Sequence, residues 1–140
     1  MGDIMQLPAT LLSASILALT LLVLVIVNAR ARGAKLKAAR SGGDEAAAAA
    51  ELEHRIRVVA NFTEYTPLGL VLVASLELSP TPRLIVHGLA AMLVLGRLLH
   101  GWGYSRSAGE SFGRMAGTAL TWLMLLLGGL VGLYAALIGF

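Results

Sequence analysis

The 140-residue chain has no cysteine, which excludes disulfides, thiolate metal ligands and a sulfur nucleophile of its own. Any sulfur chemistry must arrive with a substrate. Charge is also scarce: Asp, Glu, Lys and Arg make up 14% of residues, against about a quarter in an average soluble domain. Aromatic residues are 6% and prolines number four. Hydrophobic residues make up 57%, the mean hydropathy is +0.79, and there are sixteen glycines. That is poor material for a small aqueous core, but it suits helices packed closely in lipid, where small residues let backbones approach. At this length one domain is the limit. The net charge of +3 does not point to nucleic acid, because in a membrane protein the placement of charge matters more than its sum. No metal-ligand array, Ser-His-Asp order or phosphate loop is present.

A helix needs about 20 mostly apolar residues to span hydrocarbon. Four stretches qualify: 7–27, uncharged; 58–78, with Glu64 and Pro67 inside; 84–99, short, with His87 and Arg97; and 115–138, uncharged and glycine-rich. They predict an all-α, up-down bundle of four transmembrane helices forming a single domain, 1–140. The first stretch reads as a span and not a signal peptide, since Asp3 precedes it without Lys or Arg and its apolar run is long. The connection 28–57 carries Arg30, Arg32, Lys35, Lys37, Arg40, Arg55 and Arg57, and the connection 100–114 adds Arg106 and Arg114. The opposite side has Arg83 alone. The positive-inside bias puts both connections in the cytoplasm and both termini outside. Basic, helix-compatible sequence runs to Arg40 and breaks at Ser41-Gly42-Gly43. Asp44 can cap a new helix, and the alanine run 46–50 continues it into the second span. Ser79-Pro80-Thr81-Pro82 predicts a tight turn.

Polar residues within the spans carry the functional signal. Arg57, Asn61 and Glu64 recur at four and three residues, one stripe of a helix with Tyr65 at its edge. Arg57 and Glu64 lie two turns apart, about 10 Å along the axis, so a direct ion pair is awkward. The stripe is either interhelical hydrogen-bond glue near a Pro67 kink or a site facing a wet cavity. Arg97, His100 and Tyr104 form a second stripe at the cytoplasmic end of the third helix, at the same membrane level. Alone, His100 reads as an interfacial histidine and Tyr104 as an interface anchor. Convergence favours a site, and the inventory suits a zwitterionic ligand with carboxylates for arginine and an amine for Glu64. Asn61-Phe62-Thr63 matches a glycosylation sequon but lies at membrane depth. Gly109, Gly113, Gly117 and Thr121, with Gly128 and Gly132, make a small-residue seam for packing. His87, Trp122 and Met124 read as structural.

The run 53–67, with its Arg, Asn, Glu, Tyr and Pro, resembles the second-helix signature of MAPEG, the membrane-associated proteins of eicosanoid and glutathione metabolism. Residues 97–107 are similar to the end of that family's third helix, and four spans with a long first cytosolic connection match along the chain. The resemblance is to bacterial-type members akin to microsomal glutathione transferases, and it implies an inner-membrane homotrimer with glutathione, and no metal, bound between neighbours near the cytosolic face. Carried over by position, Arg57, Asn61, Glu64 and Tyr65 would hold glutathione, with His100 and Tyr104 completing the pocket and Arg30 available beyond the first span. The catalytic members place a thiolate-stabilising arginine near the start of the fourth helix. Here Arg114 and Arg106 are the nearest candidates, each requiring a shift, and Ser111 falls close to that position in the leukotriene C synthase. The implied activity is a glutathione transferase or peroxidase acting on lipophilic electrophiles or hydroperoxides, with Tyr104 or Ser111 donating a hydroxyl. The alternatives are a glutathione- or lipid-binding member without catalysis and a small proton-coupled transporter. Four-span transporters carry their key carboxylate in the first helix, which is uncharged here.

Overall fold

In the computed structural model the described residues are 7–106 and 111–138; of residues 104–106 only the backbone is described. They form four helices, α1 (Pro8–Ser41), α2 (Glu45–Leu78), α3 (Arg83–Arg106) and α4 (Phe112–Ile138). All four are long and apolar enough to cross a membrane. α1 and α2 have 34 residues each, about 50 Å at 1.5 Å per residue, well beyond the hydrocarbon thickness of about 30 Å. Both therefore run past their apolar spans and meet in a helical hairpin. α3 and α4 likewise extend beyond the apolar stretches 84–99 and 115–138.

The breaks fall where backbone chemistry requires them. Gly42 takes φ 69°, the left-handed conformation that favours glycine, and ends α1. Two residues later the Asp44 carboxylate accepts the Ala47 N–H at 2.9 Å and starts α2. α2 continues through Pro67, which lacks the N–H that would meet the Thr63 carbonyl. The linker 79–82 joins α2 to α3 and is closed by Ser79 Oγ against Thr81 Oγ1 at 2.6 Å.

α1 packs on α2, and α3 packs on α4. α2 and α3 form the centre, and α1 and α4 do not touch each other among the described residues. Leu17, Phe62, Val73, Leu76, Val86, Leu89, Leu93 and Met124 form the apolar core. The glycine seam of α4 lies against α3. A Cβ on Gly117 would come within 2.6 Å of the Gly96 carbonyl and 2.5 Å of the His100 nitrogen. A Cβ on Gly128 would meet Leu72 of α2 at 2.8 Å. Glycine here permits backbone contact that no larger residue allows. Gly109 lies outside the described residues.

α1 starts without a side-chain cap of its own, since its N-cap residue is Leu7. Glu77, near the end of α2, caps it from across the bundle. Its carboxylate accepts Ala9 N–H and Thr10 N–H, each at 2.8 Å, and the Thr10 hydroxyl at 2.7 Å. A carboxylate at a helix N-terminus satisfies orphan amides and complements the helix dipole.

Candidate functional site

The strongest polar feature inside the bundle is Arg97. It is 1% exposed, at the centre of α3, and no carboxylate pairs with it among the described residues. Its Nε and Nη2 both donate to Thr121 Oγ1 of α4, at 3.1 and 2.8 Å. Its Nη1 donates to Asn61 of α2, to Oδ1 at 3.1 Å and to the backbone carbonyl at 3.4 Å. The guanidinium carbon stands 5.3 Å from the centroid of the Tyr65 ring, within cation–π range. A buried cation is tolerated only when its donors find acceptors; Asn61 and Thr121 accept from all three guanidinium nitrogens, and the Tyr65 ring faces the charge. Thr121 can approach because Gly96 and Gly117 bring α3 and α4 together. A Cβ on Gly96 would lie 2.6 Å from Thr121 Oγ1.

One turn further along α3, His100 is buried, and its Nδ1 lies 3.0 Å from Thr118 Oγ1 of α4. It lines a cavity of about 360 Å³ with Ser111, Arg114, Met115, Thr118 and Trp122. Ser111 Oγ donates to the Gly103 carbonyl at 3.2 Å and accepts the Arg114 N–H at 3.4 Å, which fixes the start of α4 against the end of α3. Thus His100 of α3, Arg114 of α4 and Ser111, the residue just before α4, face one space. The cavity wall is polar at this end and apolar toward Met115 and Trp122.

The α2 stripe divides. Asn61 and Tyr65 turn inward to Arg97, whereas Arg57 and Glu64 are exposed on the outer face of α2. Arg57 is bonded to Glu53, one turn before it. Arg30 is exposed on α1. Within one chain, then, Arg30, Arg57 and Glu64 do not line the His100–Arg114 cavity. The side chains of Tyr104 and Arg106 lie outside the described residues. Among the described residues no group of His, Asp and Glu is arranged to hold a metal ion.

Three residues gain importance that spacing does not give them. Thr121 reads as a packing residue in sequence but is the main acceptor for Arg97. Thr118 orients His100. Glu77 bears the same signal as Glu64, a carboxylate in an apolar span, and has three partners where Glu64 is exposed.

Comparison with known proteins agrees with this architecture. The sequence profile of the MAPEG family matches residues 9–134. The chain is 34% identical over 77 residues to the inner membrane protein YecN of Escherichia coli strain K12 and to its counterpart in strain O6:H1. That stretch covers 55% of this chain and 57% of the length of these relatives. No solved structure matches at a significant level.

Proposed function

This chain belongs to the MAPEG family, and from that premise we propose that it is a membrane-embedded, glutathione-dependent transferase or peroxidase. The observation that carries the reading is the placement of His100, Ser111 and Arg114 around one cavity. A thiol tripeptide needs cationic groups for its carboxylates, acceptors for its ammonium and a donor at sulfur. The donor set here fits that need. Arg57 and Arg30 offer charge for carboxylates, Glu64 accepts from the amine, Asn61 and Tyr65 orient the backbone, and His100, with Tyr104, closes the pocket.

Arg57 and Glu64 face outward from α2, and the cavity opens between α3 and α4. A ligand reaches both sets when α2 of one subunit lies against the α3–α4 end of its neighbour. This geometry favours the homotrimer that the family resemblance implies. In this reading the termini are outside and the two basic connections cytoplasmic. A lipophilic substrate then enters from the bilayer past Met115 and Trp122.

A free thiol has a pKa of about 8.5, so most of it is protonated at neutral pH. Arg114, or Arg106, placed beside the sulfur in a site of lowered dielectric favours the thiolate, and the Ser111 or Tyr104 hydroxyl adds a donor. Each unit of depression corresponds to about 1.4 kcal/mol of differential stabilisation. The thiol proton leaves to solvent. The sulfur lone pair then forms a bond to the electrophilic carbon as the leaving group departs with its electron pair.

The test is conjugation of glutathione to a chlorinated dinitrobenzene by protein purified in detergent. Arg114→Ala is expected to lower kcat/KM by roughly tenfold or more, and Arg106→Ala is assayed beside it. Undiminished activity in both variants would refute this account of thiol activation. Glutathione binding without a rise in thiolate absorbance would instead identify a non-catalytic binder, and cation uptake driven by a pH gradient in liposomes would identify a transporter.

A further inference from the structure

We propose that Thr121 and Arg97 form a buried relay across α4, α3 and α2 that fixes Asn61 as a hydrogen-bond donor toward the thiol ligand. The inference rests on the glutathione-binding reading above and adds to it what selects the ligand's atoms.

The relay begins on α4. The Thr121 hydroxyl donates to the Gly117 carbonyl at 2.8 Å, which orients its lone pairs away from its own helix. Those lone pairs accept Nε and Nη2 of Arg97. This bifurcated grip fixes the guanidinium plane, and the ring of Tyr65 beneath it limits the remaining motion. Nη1 is left pointing at α2, where it meets Asn61 Oδ1 and the Asn61 carbonyl.

The last link carries the chemistry. Arginine has only donors, so it binds the oxygen of an amide and never its nitrogen. Arg97 holds Oδ1 toward the relay, so the Nδ2–H groups are the part of the Asn61 amide turned away from it, and no acceptor among the described residues takes them. Asn61 is half-exposed on the same helix as Arg57 and Glu64. It therefore presents a donor to an acceptor atom, a carboxylate or peptide carbonyl oxygen. Arg97 and Thr121 are positioning residues in this scheme. The small-residue seam of α4 sets their separation, because bulk at Gly96 or Gly117 would push Thr121 off the guanidinium.

Three variants test the relay in the full-length protein in detergent, with glutathione binding, KM, kcat and the thermal midpoint all measured. Asn61→Asp keeps size and strengthens the contact with Arg97 but removes the donor. It is expected to weaken glutathione binding about tenfold or more while the midpoint holds or rises. Thr121→Val keeps shape and removes the acceptor, and is expected to raise the KM for glutathione about tenfold with kcat at saturating thiol little altered. Thr121→Ser restores the hydroxyl and is expected to recover most of the lost affinity. The Arg97 Nε–H resonance, followed by nitrogen NMR without ligand, should shift in Thr121→Val and return in Thr121→Ser. Glutathione affinity like wild type in Asn61→Asp, or in Thr121→Val with the Arg97 resonance shifted, overturns the relay alone. Wild-type protein that binds no glutathione overturns the relay together with the function it rests on.

Discussion

Removing the carboxylate of Glu77 tests how α1 is joined to the rest of the bundle. Among the described residues α1 packs on α2 and α3 and not on α4, and its own N-cap residue, Leu7, offers no side-chain acceptor. Glu77 supplies three acceptor contacts at 2.7–2.8 Å, two of them to backbone amides that α1 cannot satisfy internally. Loss of a cap costs about 0.5–2 kcal/mol, and loss of a charge at a helix N-terminus costs about 0.3–1 kcal/mol more. Glu77 is half-buried, so water reaches the orphaned groups in part and the full penalty for burying unpaired amides does not apply. The expected cost of Glu77→Ala is therefore about 1–3 kcal/mol. Near 4 °C per kcal/mol for a chain of this size, the thermal midpoint in detergent falls by about 4–12 °C. Glu77→Gln keeps one acceptor oxygen and turns an N–H toward a second donor, and loses about half as much. Hydrogen exchange reads the same event locally, and the amides of Ala9 and Thr10 should lose protection before those of α3. An unchanged midpoint together with unchanged exchange at Ala9 and Thr10 would refute the capping role.

The α4 seam gives a paired prediction: Gly117→Ala should lower the midpoint, because its Cβ lands on backbone atoms of α3 that cannot move aside, whereas Gly129→Ala, with open space around it, should gain about 0.5–1 kcal/mol from helix propensity. If both variants melt alike, the seam is not a close contact. Asp44→Ala removes the exposed cap between the two long helices and should cost about 1 kcal/mol without loss of membrane insertion, as read by melting and by fractionation. Because the chain has no native cysteine, single cysteines at Ser41 and Thr81 report topology cleanly. An impermeant maleimide should label Thr81→Cys in intact spheroplasts and Ser41→Cys only in inverted vesicles, and the reverse pattern would overturn the orientation.

Much of the architecture is legible from local chemistry. Uninterrupted apolar runs, a glycine that must turn left-handed at Gly42, a capping carboxylate at Asp44 and a proline-rich turn at 79–82 act within a few residues of themselves. The four spans, the break between the long helices and the glycine seam therefore follow from the sequence directly. The same holds for family membership, which rests on residue types at helical spacing in α2 and α3.

What each polar residue touches is another matter, because helical spacing says which residues share a face and not which helix that face meets. Arg57, Asn61 and Glu64 form one stripe on paper. In the fold the crossing of α2 over α3 takes Asn61 and Tyr65 inward and leaves Arg57 and Glu64 outside. Thr121 and Glu77 look ordinary in sequence, since their partners lie 24 and 67 or more residues away. The sequence alone determined that this chain enters a membrane as four helices. Tertiary packing alone decided which few polar side chains are held buried and which remain available to a ligand, because a buried donor in lipid must find its acceptor on whichever neighbouring helix comes close enough.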